Sequence, residues 1–80
     1  MDGYIIVNEK LNVWLTAFET KAEAKDCIKR SNKGHIQYKI IKCQSARDWD
    51  IFANAMEEKG NMTLAKKGLD KCFKLMKGDK

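Results

Sequence analysis

The chain has 80 residues, 44% of them apolar, with 16 Lys and Arg against 11 Asp and Glu, one His, three Cys, no Pro and a formal net charge of +5. A chain this short buries only roughly 60% of the surface it exposes when unfolded, which allows one modest core over residues 1–80 and excludes a second domain or a deep substrate pocket. The charge is high but two-signed, no window approaches ~18 uninterrupted apolar residues, and Met1-Asp2-Gly3 puts no basic segment before an apolar run; the expectation is a folded, unexported, cytoplasmic protein without membrane contact.

Tyr4-Ile5-Ile6-Val7 is short, apolar and β-branched, and Val13-Trp14-Leu15-Thr16-Ala17-Phe18 is again rich in strand formers, so the two predict strands. The five residues between them carry Asn at both ends, which suits a hairpin loop. Thr20-Lys21-Ala22-Glu23 has the form of a capping box and opens a helix to about Ser31, with Ala24, Cys27 and Ile28 as a thin apolar face and Gly34 placed to stop it. From Ile36 to Cys43 the pattern returns to period two and predicts a third strand, with Ile36, Tyr38 and Ile40 on its apolar face. Ser45 then caps a second helix in which Trp49, Phe52, Ala53 and Met56 fall at i, i+3, i+4 and i+7, ending at Gly60. A last helix runs from about Leu64 to Met76, with Gly68 a weak point that costs about 1 kcal/mol unless close packing needs it. The order is ββαβαα, and the expected fold class is α+β: a small two-layer sandwich, a three-stranded antiparallel sheet with helices on one face.

Charge is distributed by element. Residues 1–20 sum to −2, 21–45 to +5, 46–60 to −2 and 61–80 to +4. In the first helix Lys21, Lys25, Lys29 and Lys33 recur at every fourth position, so at about 100° per residue they climb one stripe. In the last helix Lys66, Lys67, Lys71, Lys74 and Lys77 fall within roughly 140°, opposite Leu64, Ala65, Leu69, Cys72, Leu75 and Met76. Either stripe is also what an ordinary solvated helix face looks like, and lysines in the last turn complement the helix dipole.

A kept row of like charges is what a polyanion-binding surface needs, and Lys neutralises phosphate without a fixed fork geometry. With Lys outnumbering Arg fourteen to two, such binding would be salt-sensitive and weakly sequence-specific, since guanine edges are read mostly by Arg. These lysines, together with Lys39, are the candidate nucleic-acid contacts, RNA ahead of DNA. Tyr38, Trp14 or Phe18 would supply stacking on an open sheet face, although core is the commoner fate of such aromatics. The alternative is a protein-binding inhibitor or adaptor that uses Asp48, Trp49, Asp50 and Phe52 as an aromatic anchor with a negative rim. Small charge-segregated proteins often block a larger machine, as a phage-encoded inhibitor of a host nuclease, toxin or polymerase does, and the Lys, Ile and Asn usage suits the A/T-rich genome of a phage or bacterium. Burial of Trp49 and Phe52 against the sheet is the plainer reading.

Chemistry is not expected. His35 is alone in a loop, and Cys27, Cys43 and Cys72 are odd in number, far apart and best read as reduced thiols. No two of these four stand at the close spacing that grips zinc, so no metal or other cofactor is expected. Asp48 with Asp50 and Glu57 with Glu58 point apart on a helix, and the glycines form no phosphate-cradling loop, so no catalytic residue is assigned. The chain has neither the paired-glycine clamp of KH domains, nor the aromatic octamer of RRMs, nor zinc-finger spacing. Residues 13–42, from the first aromatic strand through Thr20-Lys21-Ala22-Glu23 to Tyr38-Lys39, faintly resemble the hybrid-binding module of some ribonucleases H. The glycine-rich turn and second aromatic of that module are missing, so the resemblance assigns no residue a role.

Overall fold

The computed structural model describes residues 2–31 and 37–78. Its elements are β1 (Tyr4–Asn8), β2 (Val13–Phe18), α1 (Lys21–Ser31), β3 (Tyr38–Lys42), α2 (Ala46–Glu58) and α3 (Met62–Gly78). The order ββαβαα and the antiparallel three-stranded sheet are as expected. Lys33, Gly34, His35 and Ile36, which entered the sequence reading as stripe, cap, lone histidine and strand start, lie outside the described residues.

The strand order is β2-β1-β3, so β1 is central and both other strands are edges. The β1–β2 loop closes through Asn8, whose Oδ1 accepts from Lys10 N and Leu11 N at 3.0 and 3.1 Å, while Asn12 takes the left-handed conformation at φ 57° that Asn tolerates. A bulge interrupts the pairing: Ile6 faces Thr16 but Val7 faces Trp14, leaving Leu15 as the extra residue. Strict alternation would set Trp14 and Thr16 on one face. The bulge instead sends Trp14 with Val7 into the α2 side of the molecule, while Leu15 and Thr16 line the α1 side.

Helices cover both faces of the sheet. Gly3, Ile5, Val7, Ala17 and Cys43 look toward α2, where Phe52 is fully buried and its ring meets Trp49 edge-on with centroids 5.2 Å apart. On the other face Ile6, Leu15, Thr16 and Tyr38 line a cleft with Cys27 and Ile28 of α1. The expected single helical layer is therefore corrected. Ile5 and Ile6 are neighbours on the central strand, 1% and 2% exposed, and successive strand residues point to opposite faces, so both faces had to be covered.

The α2–α3 hairpin follows from its caps. Ser45 Oγ accepts from Asp48 N at 3.2 Å while the Asp48 carboxylate accepts from Ser45 N, a reciprocal box. At the other end Gly60, at φ 83°, donates to Glu57 O and Asn61 N donates to Met56 O, the two bonds of a Schellman stop. Asn61 Oδ1 then accepts from Leu64 N, which starts α3 two residues earlier than the apolar periodicity alone suggests. Gly68 has the close-packing reason it needed: a Cβ there would sit 2.9 Å from the Phe52 ring and 3.3 Å from Ala53 Cβ, so the two helices meet nearly backbone to backbone.

Candidate nucleic-acid interface

Charge on α1 is separated by side. Thr20 Oγ1 accepts from Glu23 N at 3.2 Å and its hydroxyl donates to the Glu23 carboxylate at 3.0 Å, so that acid is turned toward the helix start. Asp26 pairs with Arg30 one turn on, the only ion pair among the described residues. Glu23, Asp26 and Arg30 share a cleft with Phe18 at the end of β2. At about 100° per residue, Lys21, Lys25 and Lys29 fall on the other flank, the side of Ile28, which packs beside Tyr38 of β3. All three are exposed, and none has a described carboxylate within ion-pair distance.

The edge strand β3 continues this basic side. Lys39 and Lys42 are both exposed and stand on opposite faces, Lys39 opposite Val7 and Lys42 opposite Tyr4. Lys42 was missed by the sequence reading, which followed the helical stripes; its only signal was its place in the segment of charge +5. Tyr38 and Tyr4 are half-buried on the α1 face, whereas Trp14 and Phe18 are used by the core and by the β2 end. Phe18 is capped by Lys59, whose ammonium lies 3.5 Å from the ring centroid and donates to Ala17 O. Burial lowers the Lys59 pKa, against the opposing influence of Cys27 and Glu23.

The second stripe belongs to the other side of the sheet. Lys66, Lys67, Lys74 and Lys77 are exposed on α3. Lys71 is half-buried, with its ammonium 5.1 Å from the Trp49 ring centroid. Lys71 and Lys74 line a cleft of about 320 Å³ with Asp2, Cys43, Gln44, Trp49 and Leu75. Cys43 and Gln44 directly follow Lys42, so the C-terminal end of β3 is where the α3 lysines come closest to the β3 pair. The two stripes lie on opposite sides of the sheet, and of the second only Lys71 and Lys74 are seen at the end of β3.

The residues of the protein-binding alternative divide differently. Trp49 is 4% exposed and Phe52 fully buried, Asp48 is committed to the α2 cap, and only Asp50 stands free at the surface. That helix presents no aromatic anchor. Large apolar groups are instead exposed on α3, where Met62, Leu69, Phe73 and Met76 are 59%, 38%, 55% and 65% exposed. The sequence places Leu69, Leu75 and Met76 on the buried side of α3; all three are exposed at its margins, because the buried seam with α2 is made by the small residues Ala65, Gly68 and Cys72, flanked by Leu64 and Lys71.

Among the described residues no three potential metal ligands come together, and no helix is long and apolar enough to cross a membrane. The three cysteines are free, and burial, with a smaller push from Asp48, raises the Cys43 thiol to about 12. Comparison with family models, with curated proteins and with solved structures returns no match.

Proposed function

We propose that this is a non-enzymatic nucleic-acid-binding protein, taking RNA in preference to DNA, held by Lys21, Lys25, Lys29, Lys39 and Lys42 around the α1–β3 edge. Lys71 and Lys74 of α3, which reach the C-terminal end of β3, extend that contact. The observation that supports the reading most is the sorting of charge on α1, where the acids turn toward Thr20 and Arg30 and leave three lysines unpaired beside a lysine-bearing edge strand. Unpaired lysines along one curved edge suit the phosphates of a single strand, and the half-exposed Tyr38 beside them offers a base a stacking face. Contacts made by Lys carry little sequence information, so a regulator that binds many transcripts fits better than a reader of one site. Free thiols agree with a cytoplasmic setting.

The test is fluorescence anisotropy with a short single-stranded RNA and the DNA of the same sequence, each titrated at several salt concentrations. Binding is expected to weaken with salt along a slope of about 0.7 per phosphate neutralised. The double reversal Lys25→Glu and Lys29→Glu should reduce affinity more than tenfold. A wild-type protein that binds neither strand at low salt, or a double reversal that binds as wild type does, would sink the proposal. The protein-binding alternative, an inhibitor or adaptor, is supported by the exposed apolar groups of α3 and no longer by Trp49.

A further inference from the structure

Three features are not accounted for by the α1–β3 lysines: the cleft beneath α1, the cleft around Trp49, and the outer surface of the α2–α3 hairpin. The first is small and apolar and belongs to the packing of α1 on the sheet. The second holds one acid, Asp2, beside Lys71 and Lys74, and Lys71 is already seated on the Trp49 ring. The third combines exposed apolar groups with charges of both signs in a definite order.

That order follows from the helix geometry. Gly68 contacts Phe52 and Ala53, which fixes the side by which α3 meets α2. Leu64 reaches the cleft with Met56 and Phe18, and Lys71 and Leu75 reach Trp49 and Cys43, so this flank of α3 points toward the sheet. At about 100° per residue the opposite flank, pointing away from the sheet, carries Met62, Leu69, Phe73 and Met76 within roughly 60°. Next to it on the outer side stand Lys66 and Lys77, with Asp70 just beyond them. On α2 the exposed residues that point away from the sheet are Glu57 and Asp50, next to the Ala53 contact, and beyond them Asn54, Arg47 and Glu58, a flank of three acids and one base. Across the hairpin the surface therefore reads net base, apolar stripe, net acid, with Lys66 and Lys77 on one side of the stripe and Glu57 and Asp50 directly on the other.

We infer that this surface is an interface for a second copy of the chain. A two-fold axis parallel to the helices, passing through the apolar stripe, lays stripe on stripe and swings the Lys66–Lys77 flank of each copy over the Asp50–Glu57 flank of the other. The surface is thus complementary to itself, as a two-fold interface must be. The charge order also selects among occupants. An anionic lipid surface or a wholly acidic partner would be drawn to Lys66 and Lys77 but repelled by Asp50 and Glu57 across the stripe, whereas a second copy satisfies both flanks. The contact leaves α1 and β3 outside it, so a dimer would present two copies of the proposed nucleic-acid edge.

Sedimentation velocity on the full chain, over a concentration series reaching about 100 μM, tests this, since an interface of modest size is expected to have a dissociation constant in the micromolar range. The expected result is a species of twice the protomer mass. Phe73→Glu, at an exposed position that leaves the core intact, should weaken association at least tenfold with an unchanged circular dichroism spectrum. Glu57→Lys should weaken it less, and Glu57→Lys combined with Lys66→Glu should recover it. A protein that stays monomeric throughout the series overturns the inference, and so does a dimer indifferent to Phe73→Glu. A monomer that binds phosphatidylserine vesicles through Phe73 overturns it in favour of a lipid surface. RNA anisotropy with the Phe73→Glu protein separates this inference from the proposed function, because loss of the dimer leaves the α1–β3 lysines in place.

Discussion

The two faces of the sheet are built to different standards. Below β1, Ile5 and Ala17 pack with Phe52, Trp49, Met56 and Cys43, and two glycines, Gly3 and Gly68, let backbone approach the aromatic rings at distances no side chain would allow. Above it, α1 covers Ile6 with Ala24, Cys27 and Ile28 and leaves a cleft of about 190 Å³ between Leu15, Thr16 and Tyr38. The dense layer carries the stability. The thin one carries the unpaired lysine row of α1, and a helix held by few large contacts tolerates the repulsion of a like-charged stripe only because the other layer holds the fold.

This contrast can be broken most directly at Phe52. Phe52→Ala removes the fully buried ring on which Gly3, Gly68 and Trp49 converge and is expected to cost about 3–5 kcal/mol, read as a fall in urea midpoint. Ile28→Ala, the corresponding truncation under α1, should cost well under half as much because the side chain is only half-buried. Equal losses would show that the two layers are equally important. Gly3→Ala comes next, since its methyl would lie 2.8 Å from the Phe52 ring and force a shift worth about 1–3 kcal/mol.

The remaining expectations concern smaller effects. Ser45→Ala removes the hydroxyl that accepts from Asp48 N and should cost about 1 kcal/mol, with helix content otherwise kept. Alkaline stability tests the dense layer by a different route. The Cys43 thiol is pushed up to about 12 from an ordinary value near 9, so above pH 9 the unfolded chain releases a proton that the folded chain retains. Stability should therefore fall between about pH 9 and pH 12, by at most about 1.4 kcal/mol per pH unit, and this component should vanish in Cys43→Ala. Asp26→Asn, which breaks the exposed pair with Arg30, should change stability by less than about 1 kcal/mol.

Much of this was legible one element at a time. The Ser45 box, the i, i+3, i+4, i+7 series from Trp49 to Met56 and the β-branched run from Tyr4 to Val7 each act within a few residues, and each became the element it predicted. The α1 stripe was equally legible as a row of exposed lysines. Its meaning was not, because whether Glu23 and Asp26 neutralise it depends on rotamers set by Thr20 and Arg30. Trp49 and Phe52 could be read as a surface anchor only while the helix had no partner.

The amino-acid sequence by itself determined the element order, the caps and the division of charge among segments, since all of these rest on local periodicity and short-range hydrogen bonding. Only the tertiary structure decided which helix covers which face, that the two lysine stripes lie on opposite sides of the sheet, and that α3 keeps an uncovered apolar flank. Those outcomes hang on the single extra residue Leu15, which redirects Trp14, and on Gly68, which brings α3 so close to α2 that Ala65 and Cys72 complete the contact without Leu69, Phe73 or Met76.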